Sequence, residues 1–168
     1  MNALLDTHTF LWWVADAPQL SDPAKSFITN PDNTIFFSVA SAWEIIIKVR
    51  TGKLNIPEEP NNYLKSRVID NRFEVLQIEL PHVLQVANLP DLHKDPFDRI
   101  IIAQSQVTRM PILTIDRLVS QYDVEIIWWF KGSLMQPLCE NLIFRHNGRT
   151  LTLHHQFAAS DISIVRPS

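Results

Sequence analysis

Ala3-Leu4-Leu5-Asp6-Thr7-His8-Thr9-Phe10-Leu11-Trp12-Trp13-Val14-Ala15 passes from a short apolar run, through one acid, into an aromatic-rich segment. An apolar run of strand length followed by a longer amphipathic stretch predicts a buried strand over 3–6 and a helix over 7–15. The same unit recurs along the chain. Thr34-Ile35-Phe36-Phe37-Ser38 is β-branched and aromatic, as strands are. Ser41 is placed to cap a helix that runs to about Thr51 and stops at Gly52. Ser21-Asp22-Pro23 marks a further helix start, with a cap residue and a proline in the first turn. Beyond the turn-prone 57–60, the pattern predicts a polar helix near 61–71, a strand over 73–79 and a helix over about 81–87. A loop over 89–94, a helix over 96–108 and strands over 112–115 and 124–128 complete it. This βαβα order is that of an α/β protein with a mostly parallel sheet covered by helices on both faces.

Such a sheet directs attention to one edge, because open parallel sheets bind ligands beyond the carboxyl ends of their strands. Asp6 and Asp116 both occupy that end, Asp6 after Ala3-Leu4-Leu5 and Asp116 after Ile112-Leu113-Thr114-Ile115. Glu44 sits inside Ala42-Trp43-Glu44-Ile45-Ile46-Ile47, and Asp98 precedes Arg99-Ile100-Ile101-Ile102-Ala103. A carboxylate at the margin of a core is costly unless it is paired or bound to a cation, and neighbouring carboxylates raise one another's pKa. A shared divalent metal satisfies both conditions. Each acid also has a plain structural reading. Glu44 stands three residues after Ser41, as in a capping box, and four before Lys48, as in a helical ion pair. Asp95, Asp6 and Asp116 can each cap the helix that follows, and Asp98 suits a first helical turn. What favours the metal is that four independent caps would have no reason to converge on one edge.

The donor set narrows the ion. Hard oxygen ligands without cysteine or paired histidines favour Mg²⁺ or Mn²⁺ over zinc. Asp6 and Asp98 are the expected principal ligands, with Asp116 bound directly or through water and Glu44 orienting a metal-bound water or a second ion. Thr7 and Thr114 carry hydroxyls beside the acids and could hold the carboxylates in place.

Composition removes other classes. At 168 residues the chain suits a single domain. Cys139 is the sole cysteine, which excludes an internal disulfide and a cysteine-rich zinc site. Gly52, Gly132 and Gly148 are the only glycines, so neither a P-loop nor a dinucleotide-binding glycine motif can be written. No apolar stretch approaches the ~20 residues that span a bilayer, and the start of the chain lacks the basic flank of a secretory signal. The expected location is the cytoplasm.

Four segments, Leu5-Asp6-Thr7-His8-Thr9-Phe10-Leu11-Trp12, Ser38-Val39-Ala40-Ser41-Ala42-Trp43-Glu44-Ile45-Ile46-Ile47-Lys48, His93-Lys94-Asp95-Pro96-Phe97-Asp98-Arg99 and Leu113-Thr114-Ile115-Asp116, together resemble the PIN-domain ribonucleases, and among them the VapC toxins of toxin–antitoxin pairs. The resemblance covers about residues 1–128. It implies a three-layer α/β/α sandwich and a Mg²⁺- or Mn²⁺-dependent endoribonuclease whose acidic quartet is Asp6, Glu44, Asp98 and Asp116. It also implies a homodimer silenced by a VapB-type antitoxin.

Two other readings stand beside it. The first is a catalytically inactive domain of this type that acts only through a protein partner. The second starts from a strand ending in Asp6-Thr7, which also resembles phosphatases of the haloacid dehalogenase type. Their chemistry wants a second acid two residues on, where this chain has His8.

Residues 1–128 hold 11 Lys and Arg against 16 Asp and Glu, a poor balance for holding RNA by electrostatics alone. Lys48, Arg99 and Arg117 are the candidate phosphate contacts. Trp12, Trp13 and Trp43 read as core or dimer-interface residues, and Trp128 as core. His8 and His93 flank acids but lack a nearby histidine partner, so neither is assigned to the metal. Residues 129–168 extend beyond the usual end of the resemblance. Leu142 to Arg145 and Thr150 to His154 could pair as a hairpin around Asn147-Gly148, and the alternative is a disordered tail; His154-His155 suits an exposed polar tail better than a metal site.

Overall fold

The computed structural model describes residues 1–128 and the backbone of three strands beyond them. Strands β1 (Asn2–Leu5), β2 (Thr34–Ser38), β3 (Glu74–Leu76), β4 (Ile112–Leu113) and β5 (Ile126–Trp128) form a parallel sheet in the order β3-β2-β1-β4-β5. Further strands are β6 (Ile143–His146), β7 (Arg149–Thr152) and β8 (Ser163–Val165). β8 pairs antiparallel with β5, and β6 pairs antiparallel with β7 with two residues between them. The strand expected over 73–79 is short, three residues, and lies at one sheet edge. The side chain of Trp128, Cys139 and the His154-His155 pair lie outside the described residues.

The helices are α1 (Thr7–Val14), α2 (Asp22–Thr29), α3 (Val39–Arg50), α4 (Pro60–Asp70), α5 (Leu80–Val86) and α6 (Pro96–Thr108), with a 3₁₀ turn over Arg117–Gln121. Alternation along the strands sorts the core into two halves, because successive strand side chains point to opposite faces. Ala3, Leu5, Leu113 and Ile127 join Phe10 of α1, Ala24, Phe27 and Ile28 of α2 and Ile45 of α3 on one face. Leu4, Ile112 and Ile126 join Ile101, Ile102 and Ala103 of α6 on the other. Strands covered on both sides have no polar face, which is why they read as unbroken apolar runs. The result is the expected α/β/α sandwich.

One boundary differs from expectation in a way that matters. α3 starts three residues earlier than the Ser41 cap predicts, since Ser38 ends β2 and its hydroxyl accepts from the Ala40 amide. Ser38 also donates to Gln104 of α6 at 2.6 Å, and the Gln104 amide donates to the Gln77 carbonyl at 3.0 Å. Both side chains are fully buried, so β2, α6 and the strand beyond it are tied by a satisfied polar link. Ser41 lies inside the helix, and Glu44 is therefore not the third residue of a capping box. Gly52, with φ of 71°, follows the helix in the left-handed conformation that glycine adopts without strain.

Candidate acidic site

The site lies where the sheet reverses direction of growth. From β1 the chain builds outward through β2 to β3, then returns through α5 and α6 to place β4 on the other flank of β1. A crevice opens at such a switch point because the connections leave in opposite directions. Leu5 pairs with Leu113 across it, so the residues just beyond each strand, Asp6 and Thr114 to Asp116, arrive side by side. The start of α6 adds Asp98. Asp6, His8, Asp98, Thr114 and Asp116 line a cleft of about 80 Å³, room for several water-sized groups.

Local hydrogen bonds set each acid differently. Asp6 stands at the N-terminus of α1, but its side chain makes no capping bond; Oδ2 instead accepts from the Thr114 hydroxyl at 2.8 Å. Asp116 does cap the turn that follows, Oδ1 accepting from the Leu118 amide at 2.8 Å. Its Oδ2 lies 3.1 Å from His93 Nε2. Asp95 caps α6 through the Phe97 amide, which leaves Asp98 in the first turn and directed to the cleft. Thr114 thus matches the carboxylate-holding part expected of it. Thr7 does not, because its hydroxyl donates to Ser41 at 3.0 Å and links α1 to α3.

Burial and mutual repulsion act on the two central acids. Loss of water pushes the Asp6 carboxyl above the ordinary carboxylate range, against the Thr114 hydrogen bond and the nearby His8, which pull it down. Asp98 is pushed up to about 6, first by burial and then by the negative charges of Asp95, Asp6 and Glu44, with His93 opposing. Each of these causes would be relieved by a cation.

Glu44 is placed otherwise. It is 3% exposed, pairs with Lys48 one helical turn away and does not line the cleft. Its second oxygen, Oε2, is buried with no hydrogen-bond partner among the described residues. A buried carboxylate oxygen without a donor carries a desolvation cost that a cation or a bound water would remove. No group of three or more His, Cys, Asp and Glu side chains converges closely enough to hold an ion alone among the described residues. That suits Mg²⁺, which keeps several waters and takes only one or two carboxylates, and it does not suit an ion enclosed by four protein ligands. The all-oxygen donors and the raised pKa values of Asp6 and Asp98 therefore fit a hydrated hard cation.

Other expectations change with the tertiary contacts. Arg99 is largely buried. Its guanidinium donates to the carbonyls of Val86, Leu89, Pro90 and His93 at 2.8–3.4 Å, clamping the loop before α6. Lys48 is held by Glu44, while Arg117 stands exposed beside Asp116. Trp12 and Trp13 pack on the core as expected, with the Trp13 indole donating to Asn71 at 2.6 Å. Trp43 is not a core residue of this chain; it is 57% exposed and meets Phe97 edge-on. His93, set aside for want of a local partner, is the residue that sequence reasoning missed. Its partners Asp116 and Tyr122 lie 23 and 29 positions away, out of reach of any spacing rule.

The family model described as PIN domain matches residues 3–125. Among solved structures, VapBC2 from Rickettsia felis, bound to a DNA fragment from their promoter, matches with a TM-score of 0.52 at 16% identity, over 69% of this chain and 89% of that one. VapBC-1 from nontypeable Haemophilus influenzae matches with a TM-score of 0.50 at 15% identity, over 69% and 87%. At such identities the likeness is one of fold. No curated protein sequence matches the chain significantly.

Proposed function

The chain belongs to the PIN domain family, and from that premise we propose that it is a Mg²⁺- or Mn²⁺-dependent endoribonuclease acting as the toxin of a VapBC-type pair. PIN domains are generally nucleases that use divalent metals. The observation that carries the reading is the meeting of Asp6, Asp98 and Asp116 in one cleft at the switch point, two of them held above their ordinary pKa by burial. A cation bound there would lower the pKa of a coordinated water and stabilise charge on the phosphoryl oxygens.

The chain's own groups would do the rest. Asp6 and Asp98 would hold the cation, and the Thr114 hydroxyl fixes one oxygen of Asp6. Asp116, half-exposed, would lie near a cation held by Asp6 and Asp98, which could bring it activated water. Glu44, through its unpartnered Oε2, orients a further water from the α3 side. Arg117, exposed and next to Asp116 in the chain, is the candidate phosphate contact. Residues 1–128 would form the nuclease, with 129–168 an appended segment.

The solved VapBC relatives support the further proposal of a VapB-type antitoxin as partner. The homodimer implied by the VapC resemblance belongs to the same proposal, as does a cytoplasmic location. Among the described residues no helix is long and apolar enough to cross a membrane.

Among the described residues no three possible ligands converge closely enough to hold an ion alone, which favours one other reading, an inactive domain that acts only by binding a partner. A single experiment separates the two. Induced expression of the chain without its partner should arrest growth, and Asp6→Asn should remove the arrest while leaving the melting temperature within a few degrees of wild type. Equal arrest by the folded variant would refute the nuclease.

A further inference from the structure

We propose that His93 is a positioning residue for Asp116, and that Tyr122 sets its ring, so that hydrogen bonds run from Tyr122 through His93 to the Asp116 carboxylate. This rests on the reading of the cleft as a metal-dependent nuclease site, and deepens it by naming what holds the acids.

The direction follows from counting protons. The Tyr122 hydroxyl accepts from the His93 backbone amide at 2.8 Å and lies 3.0 Å from His93 Nδ1. At the other side of the ring, Nε2 lies 3.1 Å from Asp116 Oδ2. A carboxylate can only accept, so Nε2 carries the proton; in the neutral ring Nδ1 is then bare and must receive the Tyr122 proton. A separate pair of bonds ties the Asp116 backbone to Asp6. The Asp116 amide donates to Thr114 Oγ1 at 3.0 Å, and that hydroxyl donates to Asp6 Oδ2 at 2.8 Å.

Three features make this a built device and not ordinary packing. His93 and Tyr122 are 7% and 1% exposed, so water cannot readily replace either partner. The His93 peptide is gripped on both sides, its amide by Tyr122 and its carbonyl by Arg99. The rings stack at 5.3 Å with 29° between planes, which fixes the imidazole's tilt. The consequence falls on Asp116. At 47% exposure that carboxylate should rotate freely, yet one oxygen is held by the Leu118 amide and the other by His93. Locking an acid before the ion arrives reduces the ordering that binding requires, as partners of metal-ligating carboxylates commonly do.

The test uses the full chain with Mn²⁺ as the probe. In metal-free wild type, ¹⁵N-resolved imidazole NMR should show a proton on His93 Nε2; a bare Nε2 would overturn the proposal. Mn²⁺ affinity, measured by electron paramagnetic resonance, should fall about 10–100-fold in His93→Ala, the usual cost of losing such a partner. His93→Gln, whose amide can still donate toward Asp116, should recover part of it. A folded His93→Ala that binds Mn²⁺ as wild type does overturns the proposal. Should that variant fail to fold, Tyr122→Phe removes a single oxygen, and unchanged Mn²⁺ affinity in it overturns the proposal equally. A wild type that neither binds Mn²⁺ nor cuts RNA sinks the nuclease reading, whereas a wild type that does both beside unimpaired variants sinks only the relay.

Discussion

The two ends of the sheet make an instructive pair. At the amino end, before β4 and β5, lies a cleft of about 560 Å³ lined by residues that include Gln85, Arg109, Met110, Asp123 and Glu125. At the carboxyl end lies a cleft of about 80 Å³. The larger one mixes opposite charges on exposed side chains, an arrangement that solvent screens. In the smaller one, acids of a single sign meet at the margin of the core, and Asp98 is pushed up to about 6. Size therefore does not mark the site. Parallel strands all deliver their carboxyl ends to one edge, and the crevice of the switch point opens there.

The sharpest way to break this comparison is to neutralise one acid at each end. Asp98→Asn should lower RNA cleavage by at least about 100-fold, the scale of losing one transition-state charge stabiliser. Asp123→Asn should leave the rate within about two-fold, as a surface substitution distant from the chemistry does. Equal loss in both, measured on one RNA under one buffer, would refute the assignment of the carboxyl end.

A second contrast uses metal and pH. Mg²⁺ at about 100 times its dissociation constant should stabilise the fold by about 2.7 kcal/mol. That gain should vanish in Asp98→Asn and persist in Asp123→Asn. Because the folded pKa of Asp98 is raised from 3.8 to about 6, the folded metal-free chain binds more protons than the unfolded one between those values. This group's contribution to stability is therefore greatest at low pH and is lost as pH rises through about 6. The Mg²⁺-induced rise in melting temperature should run the opposite way, growing from pH 5 to pH 7, since the ion competes with that proton. A gain that is flat across this range would remove Asp98 from the ligands.

The smallest effect belongs to the amino end. Arg109 ends α6 with φ of 57°, a left-handed conformation that costs a side-chain-bearing residue about 1 kcal/mol. Arg109→Gly should relieve it and raise stability by up to about 1 kcal/mol in urea unfolding, with cleavage unchanged. A cleavage defect in that variant would mean that the larger cleft serves the reaction after all.

What could be read from the chain and what could not divide along the range of the interactions. Leu4 and Leu5, or Ile112 and Leu113, are apolar without alternation, and that alone announces strands buried on both faces. Asp95-Pro96 announces a helix start by local capping. Ser41 misled because it too looked like a cap, whereas Ser38 is the one whose hydroxyl meets the free amide. Arg99 looked like a phosphate contact because charge beside an acid is visible in sequence, and four carbonyls folded around it are not.

The sequence by itself determined the alternation of strands and helices, the parallel sheet and the edge at which acids had to gather, because periodicity and chain polarity are local properties. The tertiary structure alone decided which hydroxyl holds which carboxylate, that Glu44 faces Lys48 and not the cleft, and that His93 bridges Tyr122 to Asp116. Those choices depend on ångström-scale approach between segments tens of residues apart, and residue spacing along the chain carries no record of such distances.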